Sequence, residues 1–525
     1  MKKTKVAKSK THSPVIASRI SQVSTRGSII RDVANYIKSN KVEVFFVSLI
    51  ILLALTLRLY RINEFLTFLG DEGRDVRIVR DLITNGNLVF IGPQTSVGNM
   101  YLGPLYYYLI APALGLFGLS PVGPAAMNAV IGTITVFLVW LFGREWFGAK
   151  AGLLAAFFYA ISPVTIIYSR SSWNPNPTPL FALICAYGIY QVWQKNNFKW
   201  LPWIGLSFAS ALQMHYLSLL LVPFLGIYWL LTFYSIKDKK DFKRQFLLGS
   251  LTAFIIFCLI MSPLAVFDLK HQGMNFNAFK AFFTDRQTTI NLNPARSDRF
   301  LPVMNTMVTD LVLARQNFYP QIVGLVILLF LLIVFKRIQN KKPLLFVITW
   351  IFFSILGLGV YKQHVYIHYL GFMYPAAYLL LGFIFSFILS QKNILKLLGA
   401  TAFVFLVYLN LHFSPVKETP NNQLKLTEDA VDLIIKESKN TPFNFALIAK
   451  QNYDESYRYF FENKSSKMTR GEDGVTEQLF VICEDGDKCQ PEGSPVYQVA
   501  IFGPASISAQ WNLRHLKIYQ LVHKK

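Results

Sequence analysis

Apolar runs recur along this chain at a length that suits the interior of a lipid bilayer. The first is VEVFFVSLIILLALTLRLY (42–60); others follow near 101–118, 123–142, 151–168, 175–193, 200–234, 246–264, 320–336, 343–361, 366–390 and 393–413. A helix needs about 20 apolar residues to cross the hydrocarbon core, so these runs are expected to be transmembrane helices. Only 15% of the residues are charged, against roughly 25% in soluble domains, which points to an integral membrane protein.

The net charge of +23 would suggest nucleic acid in a soluble chain. Here much of it lies before residue 42 and in short loops such as KDKKDFKR (237–244) and KRIQNKK (336–342). That is the bias of cytoplasmic loops, matched to anionic headgroups, so membrane lipids are expected as partners and nucleic acid is not. The basic tail 1–41 has no A-x-A-like cleavage site and reads as a retained cytoplasmic segment. Cys185 and Cys258 fall in apolar runs and suit small core positions. Cys483 and Cys489 bracket EDGDK, where a hairpin disulfide is favoured over a two-cysteine metal site.

Taken as one helix, 200–234 gives eleven crossings. Loop 61–100 and the C-terminus then share the non-cytoplasmic side, and the basic loops 237–244, 336–342 and 391–396 face the cytoplasm. The same count puts FGREWFGAK (142–150) outside, although its charge suits the cytoplasm. Breaking the run near MHY (214–216) moves SRSSWNPNP (169–177) outside, but it reverses the C-terminus unless another segment fails to cross. Both arrangements stay open at this level.

Two polar loops, 61–100 and 265–319, interrupt the membrane module of 42–413. Beyond it, TEDAVDLIIKES and DESYRYFFENK have helical spacing, while FNFALIA, EQLFVIC, YQVAIFG and LKIYQLV read as strands. The expected fold is a polytopic α-helical membrane protein with about 11–13 transmembrane helices and a small extracytoplasmic α/β domain at 414–525.

Directly after the first apolar run comes EFLTFLGDEGRDVRIVRDLITNG (64–86). Residues 71–84 have helical spacing: Val76, Val79, Leu82 and Ile83 form an apolar stripe, with Arg74, Asp75, Arg77 and Asp81 off it. A short amphipathic helix along the membrane surface is expected. Asp71 and Glu72 fall at its N-terminal end, where free N–H groups and the helix dipole favour anions. They are either a cap and its companion, or chemistry.

Farther on come GPQTSVGNMYLGPLYYYLIAPALGLFG (92–118) and GREWFGAKAGLLAAFFYAISPVTIIYSRSSWNPNPTPLFAL (143–183). With GDEGRD (70–75), these segments resemble family 39 of the C-superfamily glycosyltransferases, the protein O-mannosyltransferases and bacterial relatives such as the lipid A aminoarabinose transferase. The resemblance covers residues 42 to about 410; the C-terminal domain matches in position only. In that family an acidic pair in the first external loop follows the first helix, as Asp71 and Glu72 do. Re-entry of the loop there usually carries Lys-Pro or Pro-Pro. This chain has Gly103-Pro104, and a phosphate-binding lysine sometimes found at that point is missing, so another cation must serve.

The resemblance implies the C-superfamily fold and inverting transfer of a sugar from a polyprenyl phosphate to an acceptor hydroxyl of a protein, lipid or glycan, on the external side of the plasma membrane. Attack at the anomeric carbon needs a base for that hydroxyl, and adjacent carboxylates disfavour each other's ionisation. A departing lipid phosphate needs cations more than an acid. Asp71 is therefore expected to be the general base and Glu72 to orient sugar or acceptor. Arg74, one turn beyond Asp71, matches a phosphate-contacting arginine of the family. No cofactor is required by this chemistry, and a divalent metal is compatible with it.

Other candidates have bland readings beside the functional one. His215 is either a satisfied buried histidine or, by the resemblance, a donor-phosphate ligand at a helix break. Arg286 in TDRQ is a solvated loop residue or another phosphate ligand. In YKQHVYIHYL (361–370), Lys362 suits the lipid phosphate, while His364 and His368 suit headgroup contacts better than a metal. Asn174 and Asn176 stand where relatives often carry Asp, and an amide cannot act as a base. Tyr106 to Tyr108 fit an interfacial belt. The competing classes are a transporter or flippase for a polyprenyl-linked substrate, metal-dependent oligosaccharide transfer, and a partner-binding sensor. Intramembrane charges and internal repeats would favour the first.

Overall fold

A computed structural model describes residues 26–95, 100–284, 299–361, 364–464, 466–484 and 489–524. The membrane-module helices that position the site are, in chain order, α1 (Lys41–Leu59), α2 (Gly70–Asn85), α3 (Leu105–Leu116), α4 (Val122–Phe147) and α5 (Ala149–Ile161). They continue as α6 (Thr178–Lys195), α7 (Leu201–Met214), α8 (Leu221–Ser235) and α9 (Lys240–Lys270). The last four are α10 (Pro320–Arg337), α11 (Lys342–Val360), α12 (Tyr374–Ile388) and α13 (Asn393–His412).

Charged residues at the two ends of α1 fix which way its neighbours run. Near its start, Glu43 accepts from Arg144 of α4 at 2.8 Å, so FGREWFGAK shares the face on which α1 begins. Near its end, the buried Arg58 donates to the Ala160 carbonyl at 3.1 Å, so α5 finishes on the face where α1 finishes. The basic loops before α9, between α10 and α11 and before α13 lie on the same face as Arg144. The opposite face carries the chain from Gly70 onward, and is called the site face below.

Run 200–234 is two helices. α7 stops at His215, whose backbone is extended, and the chain turns through Tyr216–Leu220 into α8. The expected crossing at 101–118 does not occur. α3 has 12 residues, about 18 Å at 1.5 Å each, short of a hydrocarbon core of about 30 Å. Both its ends lie on the site face: Leu105 N–H donates to Gln213 at the end of α7 (2.9 Å), and the Leu119 carbonyl takes the Tyr459 hydroxyl of the C-terminal domain. One helix gained and one lost leave eleven traverses among the described residues. Eight are long and apolar enough to span alone, and α5, α6 and α7 run between the same faces. SRSSWNPNP and the C-terminus therefore both lie on the site face, and the charge pattern of FGREWFGAK is satisfied.

Residues beyond 414 form the expected α/β domain. Helices α14 (Gln423–Glu437) and α15 (Glu455–Asn463) and strands β1 (Asn444–Ile448) and β2 (Gln478–Cys483) match the sequence reading. YQVAIFG, read as a strand, is instead helix α16 (Tyr497–Phe502). Its buried side chains, Val499 and Phe502, are three apart, a helical and not a strand spacing, and Gly503 ends it with φ 89°. The strand at that place is β3 (Ala505–Leu513), which pairs with β4 (Leu516–His523). Sheet order is β1-β2-β4-β3, with β1 and β2 parallel and the other pairs antiparallel. The Cys483–Cys489 disulfide is formed.

This domain does not stand apart from the membrane module. One hydrophobic cluster runs from Leu66, Phe68, Val76, Val79 and Tyr106 into Tyr459, Phe460 and Phe461. Val76 and Val79 of the apolar stripe of α2, expected to lie against the membrane surface, are instead buried under α15 and α3, while Ile83 stays exposed. Arg77 and Arg80 reach Glu455 (2.9 Å) and Glu462 (3.6 Å) on α15. Gly73 permits this approach, because a Cβ there would lie 2.3 Å from the Ser456 backbone.

Candidate active site

Helix α2 begins where the chain leaves α1 and is capped by Glu72. The Glu72 carboxylate accepts the Leu69 N–H at 3.0 Å, an N-terminal cap from inside the first turn. The next free N–H, that of Gly70, is taken by Asn452 of the C-terminal domain at 2.9 Å. Successive residues on a helix diverge by about 100°, so with Glu72 turned inward Asp71 points outward. Its side chain is 40% exposed.

Asp71, Arg74, Gln94, Trp173, Asn174, His215, Tyr216, His368 and Tyr369 line one cavity of about 140 Å³ on the site face. Arg74 bridges two carboxylates, donating to Asp71 Oδ1 at 2.9 Å and to Asp75 Oδ1 at 2.7 Å. Asp75 is fully buried, and its Oδ2 has no partner among the described residues. Tyr453, from the turn before α15, donates its hydroxyl to Asp71 Oδ1 at 2.6 Å and accepts from Arg74 at 3.1 Å. His215 takes the Leu217 N–H on Nδ1 at 3.3 Å, the arrangement of a neutral ring with its hydrogen on Nε2. Asn174 donates to the Met214 carbonyl at 2.8 Å, which ties SRSSWNPNP to the α7–α8 break.

Of the residues singled out in the sequence, Asp71, Arg74 and His215 thus meet in one cavity. Glu72 does not line it: its carboxylate is buried against the helix N-terminus, so the position expected to orient sugar or acceptor holds the helix that carries Asp71. Arg286 and Lys362 lie outside the described residues. His368 stands over Trp173, ring centroids 4.3 Å apart. His364 precedes the 3₁₀ turn Ile367–Met373 and faces Tyr366, so the two histidines do not form an i, i+4 pair on an α-helix. Among the described residues no three His, Cys, Asp or Glu side chains group for a metal. Tyr453 and Asn452 escaped the sequence reading because 382 positions separate them from their partners.

Burial pushes the Glu72 carboxyl up to about 8 and that of Asp75 up to about 6, the latter against the pull of Arg74. Both stand above their ordinary values of 4.5 and 3.8, so the folded state holds these protons more tightly than the unfolded chain. Their contribution to stability is complete below the ordinary values and is lost as pH rises through the folded ones. The melting temperature of the purified protein is expected to fall between about pH 5 and 8. Glu72→Gln, which keeps the acceptor oxygen and cannot ionise, is expected to flatten the part of that decline above about pH 6. An unchanged slope in the variant would mean that Glu72 is ionised throughout.

Residues 102–262 match the model of the dolichyl-phosphate-mannose-protein mannosyltransferase family. No curated protein sequence matches the chain. Among solved structures, ArnT from Cupriavidus metallidurans bound to undecaprenyl phosphate superposes with a TM-score of 0.59 at 11% identity, over 91% of this chain and 97% of that one. The archaeal oligosaccharyltransferase AglB from Archaeoglobus fulgidus, in complex with an inhibitory peptide and a dolichol-phosphate, gives 0.52 at 12% identity, over 85% of this chain and 70% of that one. The chain is thus a multi-pass membrane protein with the C-superfamily glycosyltransferase fold, and its resemblance is to family 39 and the ArnT-like transferases.

Proposed function

We propose that this protein moves a sugar from a polyprenyl phosphate to an acceptor hydroxyl, with inversion at the anomeric carbon, on the extracytoplasmic face of the plasma membrane. The observation that carries this reading is the pairing of Asp71 and Arg74 on one helical turn, 2.9 Å apart and facing one cavity at the end of the membrane module. The acceptor oxygen attacks the anomeric carbon on the side opposite the phosphate, and its proton passes to Asp71. The carbon–oxygen bond to phosphate breaks with its electron pair on oxygen. Polyprenyl phosphate then leaves with one more negative charge.

Arg74 meets that charge, and the His215 Nε2–H is a second donor in the same cavity. Arg286 and Lys362 are proposed as further phosphate ligands. Glu72 acts by capping α2 and so fixing Asp71. The scheme uses no cofactor. ArnT and AglB, the proteins of similar fold, are described with undecaprenyl phosphate and dolichol-phosphate bound, which supports a lipid-linked donor. Basic loops gather on the face opposite the cavity, which supports an extracytoplasmic site. The acceptor is a protein, a lipid or a glycan.

Mass spectrometry of lipid-linked sugars and surface glycans, in cells with and without the protein, tests the proposal. One polyprenyl-phosphate sugar is expected to accumulate without it, and the same sugar to disappear from one class of surface molecule. Identical profiles in both cells would defeat the reading.

A further inference from the structure

We propose that Tyr453, supplied by the C-terminal domain, is a positioning residue for the base: it holds Asp71 Oδ1 so that Oδ2 is the atom that takes the acceptor's proton. This rests on the glycosyl-transfer reading above. Two donors converge on Oδ1, the Tyr453 hydroxyl at 2.6 Å and the Arg74 guanidinium at 2.9 Å. Oδ2 receives no hydrogen bond from any described residue. An aspartate's outer torsion is broad and nearly two-fold, so an unrestrained carboxylate presents either oxygen. Two bonds to one oxygen decide which is the spectator and which reacts.

Arg74 secures this less well alone. It also gives Nε and NH2 to Asp75, and it has to meet the departing phosphate. The phenol donates to Asp71 alone, and its residue is fixed in place. Its ring lies over Gly70, where a Cβ would sit 2.4 Å from a ring carbon. Its N–H donates to Asn452 Oδ1 at 2.9 Å, and that same oxygen takes the Gly70 N–H. Asn452 is anchored in turn by Glu484, at 2.7 Å. The C-terminal domain thereby grips the first turn of α2 through two adjacent residues, one on the backbone and one on the base.

During transfer the acceptor O–H bond breaks and its proton moves to Oδ2, while Tyr453 keeps its own. The bond from Tyr453 weakens as Asp71 is neutralised, so its contribution is orientation and not charge stabilisation.

Tyr453→Phe tests this, because it removes the hydroxyl and leaves the ring over Gly70. The donor is the polyprenyl-phosphate sugar that accumulates in cells lacking the protein, and the full chain is assayed in proteoliposomes. Expected is a fall in kcat of roughly tenfold or more, the order of loss that misorienting a reacting group produces, with the donor KM within about twofold and an unchanged Tm. A kcat within twofold of wild type would overturn the proposal. So would a joint fall in kcat and Tm with a raised KM, the signature of a domain that has come loose. Asp71→Asn assayed alongside separates the two levels. Turnover in that variant defeats the reading of the reaction, whereas its loss beside a wild-type rate in Tyr453→Phe defeats only the role of Tyr453.

Discussion

Asp71→Asn is expected to insert, dock its C-terminal domain and bind donor lipid, yet transfer no sugar. The amide keeps the shape of the carboxylate, and its oxygen still accepts from Tyr453 and Arg74. Arg74 also retains Asp75, so the guanidinium stays where it is. What the variant lacks is a lone pair basic enough to take a proton from an attacking alcohol. A positioned base contributes roughly 10²–10⁴ in rate, and no other carboxylate lines the described cavity: Asn174 is an amide, and Asp75 is buried behind Arg74. Radiolabelled sugar transfer in proteoliposomes reads the loss. Turnover within tenfold of wild type would remove Asp71 as the base.

Gly73→Ala is the second large effect, and it acts through packing. A methyl group at this position meets the Cα and N of Ser456 at 2.3 Å, and backbone of a neighbouring helix cannot step aside as a flexible side chain does. Either α2 or α15 must move. Overpacking of this kind costs about 1–3 kcal/mol, and the displaced partners are the ones that bring Tyr453 to Asp71. Expected are a lower Tm, faster proteolysis between the membrane module and residue 455, and a drop in kcat of tenfold or more. Gly115→Ala on α3 is the control. A Cβ there finds only Ile83, at an ordinary 3.8 Å, so stability and turnover are expected to stay at wild-type levels. Equal behaviour of the two variants would mean that the α2–α15 contact does not hold the site together.

Much of this architecture is legible in the sequence, because apolar runs and helical stripes carry their own period. Ten of the eleven runs mark traverses of the membrane module, one of them, 200–234, holding two, and the spacing of Val76 and Val79 marked the buried face of α2. Two segments misled for physical reasons. In the 101–118 run Tyr106, Tyr107, Ile110 and Leu114 are buried beside α2 and α4, an environment that composition cannot distinguish from lipid. YQVAIFG carries strand-forming residues, yet its burial follows Val499 and Phe502, and tertiary packing overrides a weak local preference. Within the site, helix geometry alone separates Asp71 from Glu72. Glu72 is turned away by about 100°, whereas Arg74 falls three residues from Asp71 on the same face and lines the same cavity. The contacts of Asn452 and Tyr453 had no local signal at all.

The long sequence gap between Asp71 and Tyr453 also orders events during synthesis. A ribosome delivers the first hundred residues, Asp71 included, well before it reaches the turn that holds this side chain, 382 positions downstream. A nascent chain stalled ahead of that turn carries Asp71 without the hydroxyl that holds it, so the first loop must wait for residues 452 and 453 before its helix is gripped.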